Sequence, residues 1–262
     1  MQTEILNNIV KEVEKGKRAA LVFITESKGS VPGAIDSMMA VFEDSTTIGT
    51  IGGGPVEYEV TKEAMEAIKK GKDKIFDHQL NQSSDLKMLC GGNNKGYIKV
   101  FKPKPQLIIY GAGHVGQKLA RVAVKTNFDV TIVDDRKEFK EKEDLKDVKN
   151  YYALNPDDAK ANINFNRDNT FIVICTPDND LDALQSVIKE DYKYIGMIGS
   201  KHKIKSVFDS LKERGIGEKL LDKVHSPVGL DIDNGSVEEI AISIMSEILA
   251  VKNEKENKVS WW

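Results

Sequence analysis

The chain has 262 residues, long enough for two compact domains or one large one, and 40% hydrophobic with 30% charged residues describes a globular protein, not a disordered or fibrous one. Lys and Arg number 38 against 41 Asp and Glu, a formal net charge of −3 that supplies no basic field for nucleic acid. No apolar run approaches the roughly 20 residues of a membrane helix, the N-terminus "MQTEILNNIVKEVEKGKR" reads as a charged amphipathic helix, and two distant cysteines, Cys90 and Cys175, fit a reducing cytoplasm better than a disulfide framework.

In chain order, residues 1–102 read as an α+β unit. A helix over 3–15 leads to the strand "AALVFITE", then the loop "SKGSVPGA" containing Ser30. "SMMAVFED" and "TTIGTI" read as a hairpin. After "GGGP", residues 56–70 carry Val60, Ala64, Ala67 and Ile68 at helical spacing, and Gly71 stops the helix. "KDKIFDHQL", the polar loop "LCGGNNKG" and the strand "YIKVFKP" close the unit. "KPKP" at 102–105 marks the boundary, because two prolines among lysines neither extend a strand nor start a core helix. From residue 105 to 252, strands "QLIIY", "VTIVD", "NYYAL", "TFIVIC" and "YIGMIG" alternate with helices, the pattern of a parallel sheet with crossover helices. The charged stretch "RKEFKEKEDLKDVK" reads as a solvated crossover, "SVEEIAISIMSEILAVK" as an amphipathic helix, and 253–262 as a tail ending in two tryptophans. The fold class expected is α/β, an N-terminal α+β domain followed by a Rossmann-type domain.

Two glycine-rich turns carry the chemistry. "QLIIYGAGHVGQKLA" sets Gly111, Gly113 and Gly116 in G-x-G-x-x-G spacing between a strand and a helix. The first glycine permits the tight turn, the second lets phosphate reach the backbone, and the third lets helix and strand pack closely. His114 stands at the helix entry, and Asp134 closes the next strand about 20 residues on, where a carboxylate meets ribose hydroxyls. Arg136 beside it leaves a phosphorylated ribose admissible, so NAD(P) is one cofactor to expect. The other turn is "GTIGGGPVEYE", where the amides of Gly52, Gly53 and Gly54 form a donor surface suited to phosphate. Pro55 suits the first helical position, and Glu57 can fold back on the helix entry as in a capping box or orient a ligand. Cys90, before two glycines in a polar loop, is the better candidate thiol; Cys175 ends an apolar strand and His78 sits in a strand-like run, so both read as structural.

With "KGSVPGA", "MMAVF", "GTIGGGPVE" and "CGG" in the first half, and "YGAGHVGQKLA", "VTIVDDR", "YIGMIGSKHK" and "HSPVGLDI" with "SVEEIAISIMSEILA" in the second, the chain resembles the XdhC/CoxI family. These are accessory proteins for maturation of xanthine dehydrogenase and carbon monoxide dehydrogenase. The resemblance implies a factor that binds molybdenum cofactor, as molybdopterin or its dinucleotide form, holds it during sulfuration and delivers it to a molybdoenzyme. It implies a homodimer, with a client such as xanthine dehydrogenase and a cysteine desulfurase as partners; no metal ligands are singled out in the sequence. Three positions depart from the family pattern. Pro55 stands where many members have a cysteine tied to cofactor binding, Thr176-Pro177 replaces a "TH" pair, and Asp233-Asn234 follows "GLDI" where small residues are typical. With no thiolate at 55, either Cys90 supplies the sulfur contact or the cofactor is held by phosphate and pterin alone. A third alternative is a related cofactor or a different client such as a selenium-dependent hydroxylase. An NAD(P)-dependent oxidoreductase acting through the Rossmann half is the other function the fingerprint admits, although no proton relay can be singled out for it.

Overall fold

The structure, a computed structural model, describes residues 1–29, 33–80, 92–163, 165 and 169–255. The chain divides into two compact units, Met1–Pro103 and Lys104–Trp262.

The first unit runs α1 (Gln2–Glu14), β1 (Ala19–Gly29), β2 (Met38–Phe42), β3 (Thr47–Gly49), α2 (Gly54–Lys70), β4 (Lys74–Leu80) and β5 (Gly92–Phe101). Its antiparallel sheet has the order β3-β2-β1-β5-β4. Because side chains alternate faces along a strand, β1 is split between two cores. Ala20, Val22 and Ile24 join Val56, Val60, Ala64 and Ile68 of α2, while Ala19 and Leu21 meet Ile5 and Ile9 of α1. Gly71 ends α2 in the left-handed conformation, φ 61°. Two expectations shift. Ser27–Gly29, read as loop, belongs to β1, and β5 begins at Gly92 instead of Tyr97, since Ser27, Lys28 and Gly29 pair with Asn94, Asn93 and Gly92. Cross-strand pairing overrides the poor strand propensity of these polar residues.

The second unit contains β6 (Gln106–Tyr110), α3 (His114–Lys125), β7 (Asp129–Val133), β8 (Asn150–Tyr152), α4 (Pro156–Asn162), β9 (Thr170–Ile174), α5 (Asp180–Val187), β10 (Tyr194–Met197), α6 (Lys201–Glu213), α7 (Glu218–Leu221), β11 (Val224–His225) and α8 (Val237–Lys252). All its pairings are parallel, in the order β11-β10-β9-β6-β7-β8, so the chain reverses direction across the sheet between β6 and β9. This is the doubly wound dinucleotide-fold topology, in which ligands bind beyond the carboxyl ends of the strands at that reversal. "QLIIY" is buried on both faces. Leu107 and Ile109 pack toward α3 and α8, and Ile108 and Tyr110 toward α4 and α5. The charged stretch after β7 forms two short 3-10 turns, tied to α3 by Lys118–Asp144 at 3.0 Å and Arg121–Asp144 at 3.1 Å. The sequence reading missed α4, α7 and β11. Asn155 caps α4 through Asp158 N, with Pro156 at its first position, a start signal that was present in "NPDD". Among the described residues no helix is long and apolar enough to cross a membrane.

Candidate functional site

Each unit builds its own glycine turn, and each turn contains an internal carboxylate. In the first unit β3 ends at Gly49, and the chain reaches α2 through Gly52, Gly53 and Gly54, with φ of 121°, 73° and 67°. Side chains rarely tolerate such angles, so three successive glycines are what this path requires. Glu57 Oε2 accepts from Ile51 N at 3.0 Å, Gly53 N at 3.1 Å and the Thr50 hydroxyl; Thr50 Oγ1 in turn accepts from Gly52 N at 3.1 Å. The sequence reading gave the Gly52 and Gly53 amides to a phosphate. They are instead occupied within the turn, because a buried or half-buried amide takes the nearest fixed acceptor whether or not a ligand is present. Glu57 reaches back to the amide before the helix, as a capping box does, from one position further along. Pro55 is the second helical residue, not the first. A Cβ built on Gly53 or Gly54 would meet no atom within 4 Å, so the bare backbone there is open to approach from outside. His78 pairs with Glu63 at 2.8 Å, and Lys74 meets the same carboxylate at 2.8 Å. Cys90, Ser30 and the two terminal tryptophans lie outside the described residues.

In the second unit the fingerprint glycines divide into two that pack and one that is open. A Cβ on Gly111 would lie 2.6 Å from the Cys175 carbonyl oxygen, and one on Gly116 2.0 Å from the Gly111 oxygen and 3.3 Å from the Cys175 sulfur. Gly113, before the exposed His114, has nothing within 4 Å. Cys175 lies beneath this turn with its sulfur 3.5 Å from the Gly111 oxygen. Burial, with the Asp180 and Asp134 charges adding, pushes its thiol up to about 12, which disfavours the thiolate.

Asp134 does not face outward. Its Oδ2 accepts from Ala112 N at 2.6 Å and Arg136 Nη2 at 2.8 Å, and its Oδ1 from Arg136 N at 3.0 Å and Arg136 Nε at 2.9 Å. Burial disfavours its charge, but the Arg136 side chain and the two backbone amides outweigh that and hold the carboxyl below its usual range. The side chain is 4% exposed. A carboxylate has about four lone-pair positions, and Ala112 and Arg136 fill all four here. Arg136 lies over the Phe139 ring, 4.2 Å from its centroid.

Beside this clamp a cavity of about 390 Å³ opens at the carboxyl ends of β6, β7 and β9, lined among others by Tyr110, Asp135, Leu154, Pro156 and Thr176 to Asn179. Its rim on the β9 side is fixed by a cluster the sequence reading missed. Lys203 of α6 pairs with the buried Asp180 and donates to the Thr176 and Pro177 carbonyls at 3.1 and 3.0 Å, and Thr176 donates to Asp180. "GSKHK" and "TPDND" carried these residues, but nothing in either segment announces the other. Far from the cavity in sequence, buried Glu247 of α8 accepts from Tyr194 OH at 2.7 Å and Gly229 N at 2.7 Å, with His225 Nδ1 at 2.7 Å. It fixes the "HSPVG" segment to the sheet. Burial opposes the Glu247 charge, yet the bonds from His225, Tyr194 and Gly229 prevail and lower its carboxyl. Among the described residues there is no cluster of three or more His, Cys, Asp or Glu able to hold a metal.

The fold is therefore an α+β unit with a glycine turn, followed by a doubly wound Rossmann unit. A profile of the XdhC Rossmann domain matches residues 107–248, and one of the XdhC and CoxI family matches residues 12–79. The chain belongs to the XdhC/CoxI family. Among its relatives, the Escherichia coli K12 protein YqeB, described as uncharacterized, is 31% identical across 95% of this chain and 46% of its own length. The molybdenum cofactor insertion chaperone PaoD of the same strain is 24% identical across 96% of this chain and 89% of its own. A probable xanthine dehydrogenase subunit of Bacillus subtilis 168 is 26% identical across 60% of this chain and 46% of its own. The chain thus spans about half the length of the first and third of these relatives and most of the second. A crystal structure described as a xanthine dehydrogenase from Bacillus halodurans shares the fold, with a TM-score of 0.53, 20% identity and 98% of each chain covered.

Proposed function

We infer that this chain is a maturation factor that binds molybdenum cofactor and assists its sulfuration and insertion into a xanthine dehydrogenase-type molybdoenzyme. The observation that carries this reading is the match to the molybdenum cofactor insertion chaperone over 96% of this chain and 89% of that one, both units included. The first unit's turn fits a bulky ligand in one respect: a Cβ at Gly53 or Gly54 would meet no atom within 4 Å, so a group could lie against that side of the backbone. With the Gly52 and Gly53 amides occupied by Thr50 and Glu57, Glu57 serves the ligand by holding the turn, not by touching it. Pro55 supplies no sulfur, which leaves Cys90 as the sulfur contact in this reading. The working form is a cytoplasmic homodimer that meets the client enzyme and a cysteine desulfurase.

An NAD(P)-dependent oxidoreductase is the weaker reading. The carboxylate that would recognise the ribose is occupied by Ala112 and Arg136, and the part-buried thiol beside the turn has its pKa pushed up to about 12.

The test is anaerobic purification of the full chain and of Gly53→Val, followed by assay of molybdenum, oxidised pterin fluorescence and nucleotides. Pterin and molybdenum in the native protein but not in the variant are expected. A folded native protein that carries neither, and whose loss leaves molybdoenzyme activity intact, would overturn the reading.

A further inference from the structure

A helix on the surface of a globular unit turns a polar, charged face to solvent, and one that is apolar all round is covered on both sides. α6 follows the first rule with exposed Lys201, Lys205, Asp209 and Lys212. α8 departs from it. From Ile240 to Val251 its only ionisable residue is Glu247, which is buried and accepts from Tyr194 and Gly229 beside His225. Helical spacing turns Ile242, Ser246 and Ala250 away from the buried Ala241, Ile244, Met245 and Ile248, and Ile242 is 51% exposed. The Ser246 hydroxyl donates to the Ile242 carbonyl at 2.8 Å, so this stripe can be covered without stranding a donor. Beside it Ile232, 57% exposed, stands on a loop tied to α8 by Leu230 N to the Ser243 carbonyl at 3.3 Å and Asn234 N to Glu239 Oε2 at 2.9 Å.

We propose that this face of α8 is covered by the same face of a second copy of the chain, the two helices antiparallel about a two-fold axis at Ser246. The interface gives the homodimer of the proposed function its contact surface, and it rests on that reading for the dimer but not for the cofactor. Ile242 and Ala250 stand one turn either side of Ser246. Antiparallel copies therefore set the large side chain of each over the small one of the other, twice, as a self-complementary interface requires. The charges agree with this direction. Glu238 and Glu239 occupy the first turn and Lys252 the last, with exposed Lys255 just beyond it. An antiparallel pair brings each acidic end to a basic end, whereas a parallel pair sets like charges together. Glu254, at the basic end, is engaged by Lys193 at 3.7 Å, so the lysines set the sign there. The helix is about 24 Å long, which places one helix pair with a flanking loop at the small end of specific interfaces, and the dimer dissociates on dilution.

The experiment is sedimentation velocity of the full chain over a concentration series, on the native protein, Ile242→Glu, Glu238→Lys, Lys255→Glu and the Glu238→Lys/Lys255→Glu double variant, with melting curves to show that each is folded. The native protein is expected to be a dimer that dissociates on dilution. Ile242→Glu, at an exposed position, is expected to melt like the native protein and to raise the dissociation constant at least about tenfold, because two carboxylates would lose water in the interface. Each single charge reversal sets like charges together at both ends and is expected to weaken the dimer roughly three- to tenfold, and the double variant, which exchanges the signs, to recover it. A native chain that is monomeric at every concentration, even one that captures another protein through α8, would overturn the proposal together with the homodimer. A dimer as tight in Ile242→Glu as in the native protein would overturn the interface alone, and a double variant no tighter than the single ones would overturn the antiparallel arrangement. Molybdenum and pterin are assayed on the same samples. A dimer broken by Ile242→Glu in protein free of both would support the interface while counting against the maturation reading; cofactor retained by a protein whose dimer ignores Ile242→Glu would do the reverse.

Discussion

Replacing Gly116 by alanine adds one methyl group near the start of α3, at a position where helix propensity alone favours the change by about 1 kcal/mol. The methyl would arrive 2.0 Å from the Gly111 carbonyl oxygen and 3.3 Å from the Cys175 sulfur. The first of these contacts is with backbone that cannot swing aside, so α3 must lift from β6 or the turn must open. Overpacking of this kind costs about 1–3 kcal/mol or more, and a backbone collision belongs at the upper end, so a net loss of roughly 2 kcal/mol remains after the propensity gain. For a unit of this size that lowers the melting temperature by about 4–8 °C. Gly113→Ala provides the control. Its methyl meets nothing within 4 Å and its backbone is already extended, φ −67° and ψ −173°, leaving only the poorer capping of alanine, up to about 1 kcal/mol. Thermal denaturation followed by circular dichroism should therefore rank the proteins native, Gly113→Ala, Gly116→Ala from most to least stable. A Gly116→Ala protein as stable as the native one, or less perturbed than Gly113→Ala, would refute the argument that this glycine exists for close packing.

Glu247→Gln should flatten the acid end of the stability profile. The native carboxyl is held below its ordinary 4.5, so its contribution is complete above that value and is lost as pH falls through the lower folded value. Melting temperatures of the two proteins should thus differ most near neutrality and converge in acid; a gap that widens on acidification would contradict this. Cys175 should resist iodoacetamide at neutral pH and react only after denaturation, since its thiol sits near 12. Peptide mass spectrometry would read this, and native-state labelling at Cys175 would show the turn above it to be open. Glu57→Ala should destabilise the first unit by about 1–2 kcal/mol, because it leaves the Ile51 and Gly53 amides without their acceptor. Glu57→Gln, which keeps one oxygen, should recover part of the loss in chemical denaturation.

Local signals made much of the architecture legible. The fingerprint glycines stand at the strand-to-helix turn that their spacing implied, and "QLIIY" is buried on both faces as a central parallel strand must be. Gly71 ends α2 because its left-handed conformation is one that glycine adopts without strain. What the sequence concealed was the destination of side chains. Asp134 could serve a ribose or its own turn, and the choice rests on Arg136 two residues later and on Ala112 on another segment. Glu247 meets partners on three segments, and no periodicity in α8 distinguishes it from a solvent-facing glutamate. Pairing likewise decided the start of β5, where Asn93 and Asn94 lie between β1 and β4 despite low strand propensity. Short elements such as the two-residue β11 carry too little pattern to register at all.

The two glycine turns share a physical solution. Each holds inward-facing amides on a carboxylate of its own unit: Glu57 accepts from Ile51 and Gly53 in the first, with Thr50 taking Gly52, and Asp134 accepts from Ala112 in the second. Empty donor cradles would bind an anion more tightly, but they would leave the unliganded protein with unpaired amides at about 1–3 kcal/mol apiece where they are buried. Filling them from within gives a turn that keeps its shape with nothing bound. A ligand then gains only what the open backbone at Gly53, Gly54 and Gly113 and the neighbouring cavity provide. That balance suits a protein that must hold a cofactor and then release it to another, because the empty state carries no penalty for giving the cargo up. The internal carboxylates therefore weigh on the side of a carrier, and they do so in both units by the same means.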